Sequence, residues 1–382
     1  MAHKDGILII TPFFRPNIGG VETHLNDLCA ILTASGYHVY VITYQPITTN
    51  EKAPSVEIDG KLEVRRIRWP GFNLFHELER FPFLEFLYIT PRLLIAVFLF
   101  LAFNKKRIGV IHAHGFNAAF IGGIIKPFFR KRVVVSTHAI YNLGNKGIFQ
   151  KILRWTLGKA DSILCVSRPS LNELAGIGVS KNKLKVYTYW VDQKAFRPLD
   201  RESSKKQLGW PDKFVVLFVG RFIEKKGMRV LLEAAQKAAA GIFIAFIGDG
   251  PLAREIEAAS KKRPNVIFIG KVENAGLPVY YNAADILCAP SLYEEAFGRV
   301  VAEALSCELP VVVSKRGGMA EIVDEAIGIK VEPVTPEALA DTFNQLYRDK
   351  ERLGILRQNS RRYAMDKFGE RNAGLIIESY NN

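Results

Sequence analysis

Cysteine is sparse in this sequence. The four present, Cys29, Cys165, Cys288 and Cys307, lie far apart in apolar surroundings, and no C-x-x-C pair occurs. That excludes a disulfide framework and a cysteine-built zinc site, and it suits buried thiols in a reducing compartment. No D-x-D triplet occurs either, which argues against a divalent metal, so no metal is expected. His112 and His114 alternate near the end of an apolar run and would face one way, but no third ligand is evident. The N-terminus lacks a signal-peptide profile: Ile7–Ile10 is short and runs straight into Thr11-Pro12. Long apolar runs are also missing. The longest, Leu93–Phe103, falls well short of the ~20 residues of a membrane span, and extending it backwards meets Arg92, Pro91 and Glu85. The expected location is cytoplasmic.

What is present begins with charge. The net charge is +14, on a chain of ordinary hydrophobic (48%) and charged (24%) content. The excess gathers in the first half, at Arg65, Arg66, Arg68, Lys105, Lys106, Arg107, Lys126, Arg130, Lys131, Arg132, Lys146, Lys151, Arg154 and Lys159. A basic excess suits acidic partners. No glycine-aromatic RNA-binding signature accompanies it, so nucleic acid is not an expected partner.

At 382 residues the chain is too long for one small core, and two domains are the natural expectation. Short apolar runs alternate with helix-like segments. Ile7–Ile10, Val39–Tyr44, Val64–Ile67, Val110–His112, Val133–Ser136 and Ile163–Val166 read as strands, with a helix near Val21–Ser35. The pattern restarts with strands at Phe214–Val219, Ile242–Ile247, Val266–Ile269, Ile286–Ala289, Val311–Ser314 and Ile329–Val331. Helices at Gly227–Ala240 and Leu252–Lys262 fall between them. This predicts two doubly wound, Rossmann-like α/β domains, residues 1–193 and 194–365, facing a central cleft, with a final helix, 366–382, packing back on the first.

Three turns in the second half carry chemistry. Pro290 to Gly298 links a strand to a helix expected to start near Phe297, whose N–H groups suit phosphate or sugar oxygens. Glu295 would stand at that mouth, with Glu303 about two turns along the helix, roughly 10 Å away. Gly220-Arg221-Phe222-Ile223-Glu224-Lys225-Lys226-Gly227 falls in the first strand-to-helix turn of its half, where doubly wound folds bind phosphate. There Arg221 offers a planar fork and Lys226 a point charge, a pair suited to a diphosphate. Gly248 to Ala253 matches G-x-G-x-x-A, with Glu273 roughly 20 residues on, as in dinucleotide-binding turns. It sits in the second turn of its half, so it reads as a loop lining the nucleotide side. In the first half, Gly19-Gly20 permits close backbone approach, and His138 stands just past a strand at its ligand-facing end.

In combination these residues resemble glycosyltransferase family 4, the retaining GT-B enzymes, from about Ile7 to Phe368. The resemblance rests on the glycine loop, the strand-end histidine, G-R-x-x-x-K-K-G, G-D-G-P, E-x-F-G leading to a second Glu, and Gly317-Gly318 followed by Glu321. It implies transfer of a hexose-type sugar from a UDP- or GDP-linked donor, with no cofactor beyond that substrate. Arg221 and Lys226 would hold the diphosphate and stabilise the leaving group. Glu295 would bind the sugar hydroxyls, assisted by Ala296, Phe297 and Gly298, and Glu303 the ribose. Gly19, Gly20, Gly220, Gly248 and Val272 would line the donor, and His138 would contact the transferred sugar. Two departures stand out. Thr188-Tyr189-Trp190-Val191-Asp192 replaces the family's P-N-G-V-D, and Cys307-Glu308-Leu309-Pro310 its C-G-x-P.

The acceptor is expected to be a glycan or a lipid-linked molecule. The aromatic, leucine-rich Phe72–Phe103, followed by Lys105-Lys106-Arg107, suits either an anionic membrane surface or a core helix on the sheet. Three rival readings remain at this stage: an NAD-dependent oxidoreductase using Gly248–Ala253, a non-catalytic GT-B partner subunit, and a sugar-nucleotide epimerase.

Overall fold

The structure, a computed structural model, describes residues 6–381 apart from 18, 48–51, 70–73, 75–77, 79–80 and 143–146. Parts of Phe72–Phe103 and Lys146 therefore lie outside the described residues. The chain forms two compact units, Met1–Tyr187 with Ala373–Asn382, and Thr188–Asn372.

The first unit is built on β1 (Gly6–Ile10), β2 (Val39–Tyr44), β3 (Val56–Asp59), β4 (Leu62–Ile67), β5 (Ile108–His114), β6 (Arg132–Thr137), β7 (Ser162–Cys165) and β8 (Leu184–Val186). Their order is β3-β4-β2-β1-β5-β6-β7-β8. β3 pairs antiparallel with β4 and the other pairs are parallel. The helices are α1 (Gly20–Ala34), α2 (Pro82–Asn104), α3 (Phe116–Phe129), α4 (Gly147–Gly158) and α5 (Arg168–Gly176). β1, β5, β6 and β7 are buried almost throughout, the pattern of strands covered on both faces.

In the second unit come α6 (Arg201–Leu208), β9 (Phe214–Val219), α7 (Met228–Lys237), β10 (Ile242–Ile247), α8 (Ala253–Lys262), β11 (Val266–Gly270) and α9 (Leu277–Ala283). They are followed by β12 (Ile286–Ala289), α10 (Arg299–Ser306), β13 (Val311–Ser314), α11 (Gly317–Ile322), β14 (Gly328–Val331), α12 (Pro336–Arg348) and α13 (Lys350–Lys367). The sheet is parallel throughout, in the order β11-β10-β9-β12-β13-β14. The last helix, α14 (Ala373–Asn381), belongs to the first unit. There Tyr380 hydrogen-bonds His112 at 2.8 Å, and Arg132 Nε donates to the Ser379 carbonyl at 2.7 Å.

The α2 helix corrects the sequence reading. It runs through Pro91 and Arg92, and Phe83–Asn104 is long and apolar enough, by length and composition, to cross a membrane. About a third of that stretch is buried (33%). Ile89, Leu93, Val97, Phe100 and Leu101 form the stripe that joins the core. The Tyr44 hydroxyl ties the helix to the sheet by donating to the Ile89 carbonyl at 2.6 Å. Phe83, Leu84, Leu87, Ile95, Phe98, Leu99 and Phe103 are exposed on the outside. The helix is thus a core element on one face and an apolar surface on the other.

Candidate functional site

Strand order reverses direction between β9 and β12, which are neighbours in the second sheet. Open α/β sheets bind ligands outside the carboxyl ends of the strands at such a switch point. The loops leaving these two strands are the Gly220–Gly227 turn and the Pro290–Gly298 loop. The glycine that ends the first admits the backbone of the second. Gly227 is left-handed (φ 74), and a Cβ there would meet the Pro290 carbonyl oxygen at 2.1 Å. Leu292 N–H donates to the Lys225 carbonyl at 2.8 Å, sewing the loops together.

Lys226 and Glu295 meet across this seam, Nζ to Oε1 at 2.7 Å. Ser291 Oγ donates to the same carboxylate, and the Lys226 ammonium lies 5.6 Å from the centre of the Tyr293 ring. Burial is the largest single influence on Lys226 and lowers its affinity for its proton, but the Glu295 carboxylate and the Tyr293 hydroxyl together outweigh it and hold its pKa above the ordinary lysine value. Burial, seconded by Glu295, raises the Tyr293 phenol. Arg221 is exposed on the rim of the same turn.

Gly317-Gly318 underlies the Glu295 loop. Gly318 N–H donates to the Glu295 carbonyl at 2.6 Å, and a Cβ on Gly318 would sit 1.9 Å from the Ala296 carbonyl oxygen. Phe297 is buried between Tyr189 and Phe368, ring centroids 4.9 and 5.9 Å away. Tyr189 and Trp190, the aromatics standing in place of Asn-Gly, are therefore buried in this unit, with Tyr189 supporting the loop from behind. The helix that follows, α10, begins at Arg299, with Gly298 (φ 87) as its N-cap and no side-chain cap bond. Glu303 consequently lies about one turn into the helix rather than two. It is buried, not solvated, and accepts from Arg299 Nε (3.0 Å), Tyr281 OH (2.8 Å) and Asn274 Nδ2 (3.3 Å). Burial and the Glu303 carboxylate together push the Tyr281 phenol well above its usual range. Sequence reasoning missed Ser291, although it lies in the quoted motif, and missed Tyr281 and Asn274, which carry no local signal.

The G-x-G-x-x-A turn has another use. A Cβ on Gly248 would lie 1.9 Å from the Gly220 carbonyl oxygen, and one on Gly250 2.7 Å from that of Phe222. Gly248 N–H donates to Gly270, and Phe222 N–H to Asp249. These glycines let two turns pack backbone to backbone, which explains the motif without a dinucleotide. Val272 is half-buried just beyond β11, against Gly276.

In the first unit, Gly19 caps α1 in extended backbone (φ 174), and Gly20 opens the helix, exposed. His138 follows β6 and joins a histidine cluster rather than standing alone. His138 Nε2 lies 3.0 Å from His114 Nδ1, and its ring centroid is 6.0 Å from that of His24. His112, fully buried, bonds Tyr380 through Nδ1 and Ser136 through Nε2, both at 2.8 Å. Burial drives His112 and His138 down to about 3, His112 with a further contribution from His138, and holds His114 well below its ordinary value. Among the described residues, no group of three or more His, Cys, Asp or Glu is arranged to hold a metal. All four cysteines are free and buried.

Comparison with known proteins places this geometry. Residues 18–194 match the family described as Glycosyltransferase Family 4, and residues 200–363 the family Glycosyl transferases group 1. The phosphatidylinositol N-acetylglucosaminyltransferase GPI3 subunit of Saccharomyces cerevisiae is 26% identical over 357 residues, 89% of this chain and 74% of that protein. Sucrose-phosphate synthase from Thermosynechococcus elongatus superposes with a TM-score of 0.83 at 24% identity, covering 99% and 98% of the two chains. Anabaena HepE in complex with UDP-glucose gives 0.78 at 21% identity, covering 99% and 100%.

Proposed function

The chain belongs to the GT-B glycosyltransferases, carrying both of their domain families, and from this premise we propose that it moves a hexose-type sugar from a UDP- or GDP-linked donor to a glycan or lipid-linked acceptor, with retention of configuration. The observation that carries the reading is the Lys226–Glu295 pair joining the two loops at the β9/β12 switch point.

In this reading the donor diphosphate lies along the Gly220–Gly227 turn. Arg221 and Lys226 neutralise the charge that grows on the leaving phosphate. Lys226 is suited to this because its neighbours keep it protonated. Glu295, already accepting from Lys226 and Ser291, receives sugar hydroxyls, and the N-terminal N–H groups of α10 take further oxygens. Glu303, oriented by Arg299, Tyr281 and Asn274, accepts from the ribose hydroxyls. The acceptor oxygen attacks the anomeric carbon from the face the phosphate leaves, and a phosphate oxygen takes the acceptor's proton. That retains configuration without a side-chain nucleophile. His138 contacts the transferred sugar as a neutral ring. The GPI3 relative acts on phosphatidylinositol by its name, which supports a lipid-linked acceptor. In this reading the chain meets it at the cytoplasmic face of a membrane.

Thermal shift against a panel of nucleotide sugars tests the donor, because a ligand bound only by the native state raises its melting point. Glu295→Ala and Lys226→Ala are each expected to abolish transfer while the protein stays folded. Wild-type rates in both variants would refute the assignment.

A further inference from the structure

His114 is a buried histidine to which sugar transfer, as read above, gives no role. It closes β5 in register with Ser136 of β6, and His138 stands two residues beyond that partner. Side chains two apart along an extended segment share a face, so register brings the two imidazoles together. His112, two residues before His114, shares the face and packs on it, ring centroids 4.0 Å apart. Both nitrogens of His112 are taken, by Tyr380 and Ser136, so it does not answer His114.

The contact between His114 and His138 has the geometry of an in-plane hydrogen bond. Nδ1 of His114 lies 3.0 Å from Nε2 of His138, and the ring planes are within 6° of parallel. Ring faces in van der Waals contact stand about 3.5 Å apart, too far for that bond. The 5.2 Å between the centroids is instead the bond itself plus about one ring radius at either end. N–H and lone pair therefore point at each other in a shared plane, which fixes the rotation of the ring as well as its position.

The direction of the bond follows from the far side of His114. Burial keeps both rings neutral, holding His114 well below the ordinary histidine value and His138 at about 3. Two neutral imidazoles joined nitrogen to nitrogen hold one proton between them. If His138 supplied it, His114 would carry its own proton on Nε2. That nitrogen is buried and has no hydrogen-bond partner among the described residues. A buried N–H without an acceptor is a rarer defect than a buried acceptor without a donor. The shared proton therefore belongs to His114 Nδ1, and His138 carries its own on Nδ1.

We propose that His114 is a positioning residue for sugar transfer: by donating from Nδ1 to His138 Nε2 it fixes the rotation of the His138 ring and its Nδ1–H tautomer, so that a sugar oxygen reaching a nitrogen of this ring meets a donor rather than a lone pair. His114 acts through His138 and does not itself touch the substrate. The role in transfer rests on the transferase reading above; the tautomer does not.

Long-range proton–nitrogen correlation spectra of the full chain, labelled at histidine and recorded at neutral pH, report which ring nitrogen bears the proton. His138→Gln identifies the His138 signals by their loss. The wild type is expected to show His138 protonated on Nδ1. His114→Phe keeps a ring against His112 but offers no N–H, and should turn that single tautomer into a mixture. Its kcat, read with the nucleotide sugar that thermal shift selects, should fall on the order of tenfold to a hundredfold, the range for removing a partner that orients a functional histidine. The KM for the donor should change by less than about threefold, because His114 reaches the sugar only through His138. His114→Asn sets an amide N–H where Nδ1 stood and should recover most of the lost kcat. A purely structural role predicts the opposite order, since Asn fills the buried site less well than Phe. Protonation of His138 on Nε2 in the wild type, or an undisturbed Nδ1–H tautomer in His114→Phe, overturns the proposal. The first of these is decided whichever variants fold. Wild-type kcat in His114→Phe, or no recovery in His114→Asn, overturns the positioning role. A wild type that turns over no nucleotide sugar refutes the transferase reading and the role built on it, while the spectra separately decide the tautomer.

Discussion

Acidification should loosen the first unit, and the size of the effect follows from His112. Its ring is fully buried, neutral and bonded at both nitrogens, to Tyr380 and Ser136. Burial sets its folded pKa at about 3, against an ordinary histidine value of 6.5 in the unfolded chain. Between those values the unfolded chain binds a proton that the folded chain refuses, so stability rises with pH across the window and falls on acidification. At pH 5 the loss from this residue is about 2 kcal/mol, a factor of about thirty in the opening equilibrium. His138, also held near 3, and His114 act in the same direction, so thirtyfold is a lower figure for the wild type. Hydrogen exchange read on peptides covering β5 and β6 at pH 7 and pH 5, corrected for intrinsic rates, measures it. His112→Asn, which cannot charge and can still hydrogen-bond, should show a drop smaller by about that thirtyfold factor. Equal protection at the two pH values in the wild type, or an identical drop in the variant, would defeat the reasoning.

Other outcomes are equally specific. Glu308 sits in left-handed backbone (φ 58), where the related pattern has glycine, so Glu308→Gly should stabilise the second unit by roughly 1 kcal/mol in a calorimetric melt. Gly248→Ala and Gly318→Ala each drive a Cβ to 1.9 Å from a carbonyl oxygen, and each should cost on the order of 3 kcal/mol and remove donor binding. Tyr281→Phe removes one of the three donors to buried Glu303 and should weaken nucleotide-sugar binding by about tenfold in calorimetry. NADH fluorescence should show no saturable binding, because Gly248 and Gly250 serve loop packing.

Most of the parallel strands are legible in the sequence because they are short, largely buried apolar runs. Val39–Tyr44, Phe214–Val219, Ile242–Ile247, Ile286–Ala289 and Val311–Ser314 coincide with the observed bounds. β3 escapes such a reading because it is an edge strand with mostly exposed residues, and β8 because it has only three residues. α2 reads short because Pro91 and Arg92 interrupt the apolar run, whereas tertiary packing of the Ile89–Leu101 stripe carries the helix through them. The loops of the candidate site are legible as motifs, but their glycines suggest a ligand when most of them face other backbone. That information is non-local: Gly318 answers to Ala296 and Gly248 to Gly220. The histidine cluster is half visible. The alternation of His112 and His114 is plain, while His24 and Tyr380 are contributed from distant parts of the chain.

The return of α14 to the first unit has a consequence for biogenesis. The second unit is a continuous stretch, 188–372, and holds all of its own residues once that stretch has been translated. The first unit, although begun earlier, lacks the partner of His112 Nδ1 and the carbonyl that holds Arg132 until residues 379 and 380 exist. Vectorial synthesis should therefore release the later-made unit to fold first and leave the earlier one waiting with an open seam beside β5 and β6. During that interval its exposed apolar helices are a target for chaperones, and a stop codon just before Ala373 would make the wait permanent.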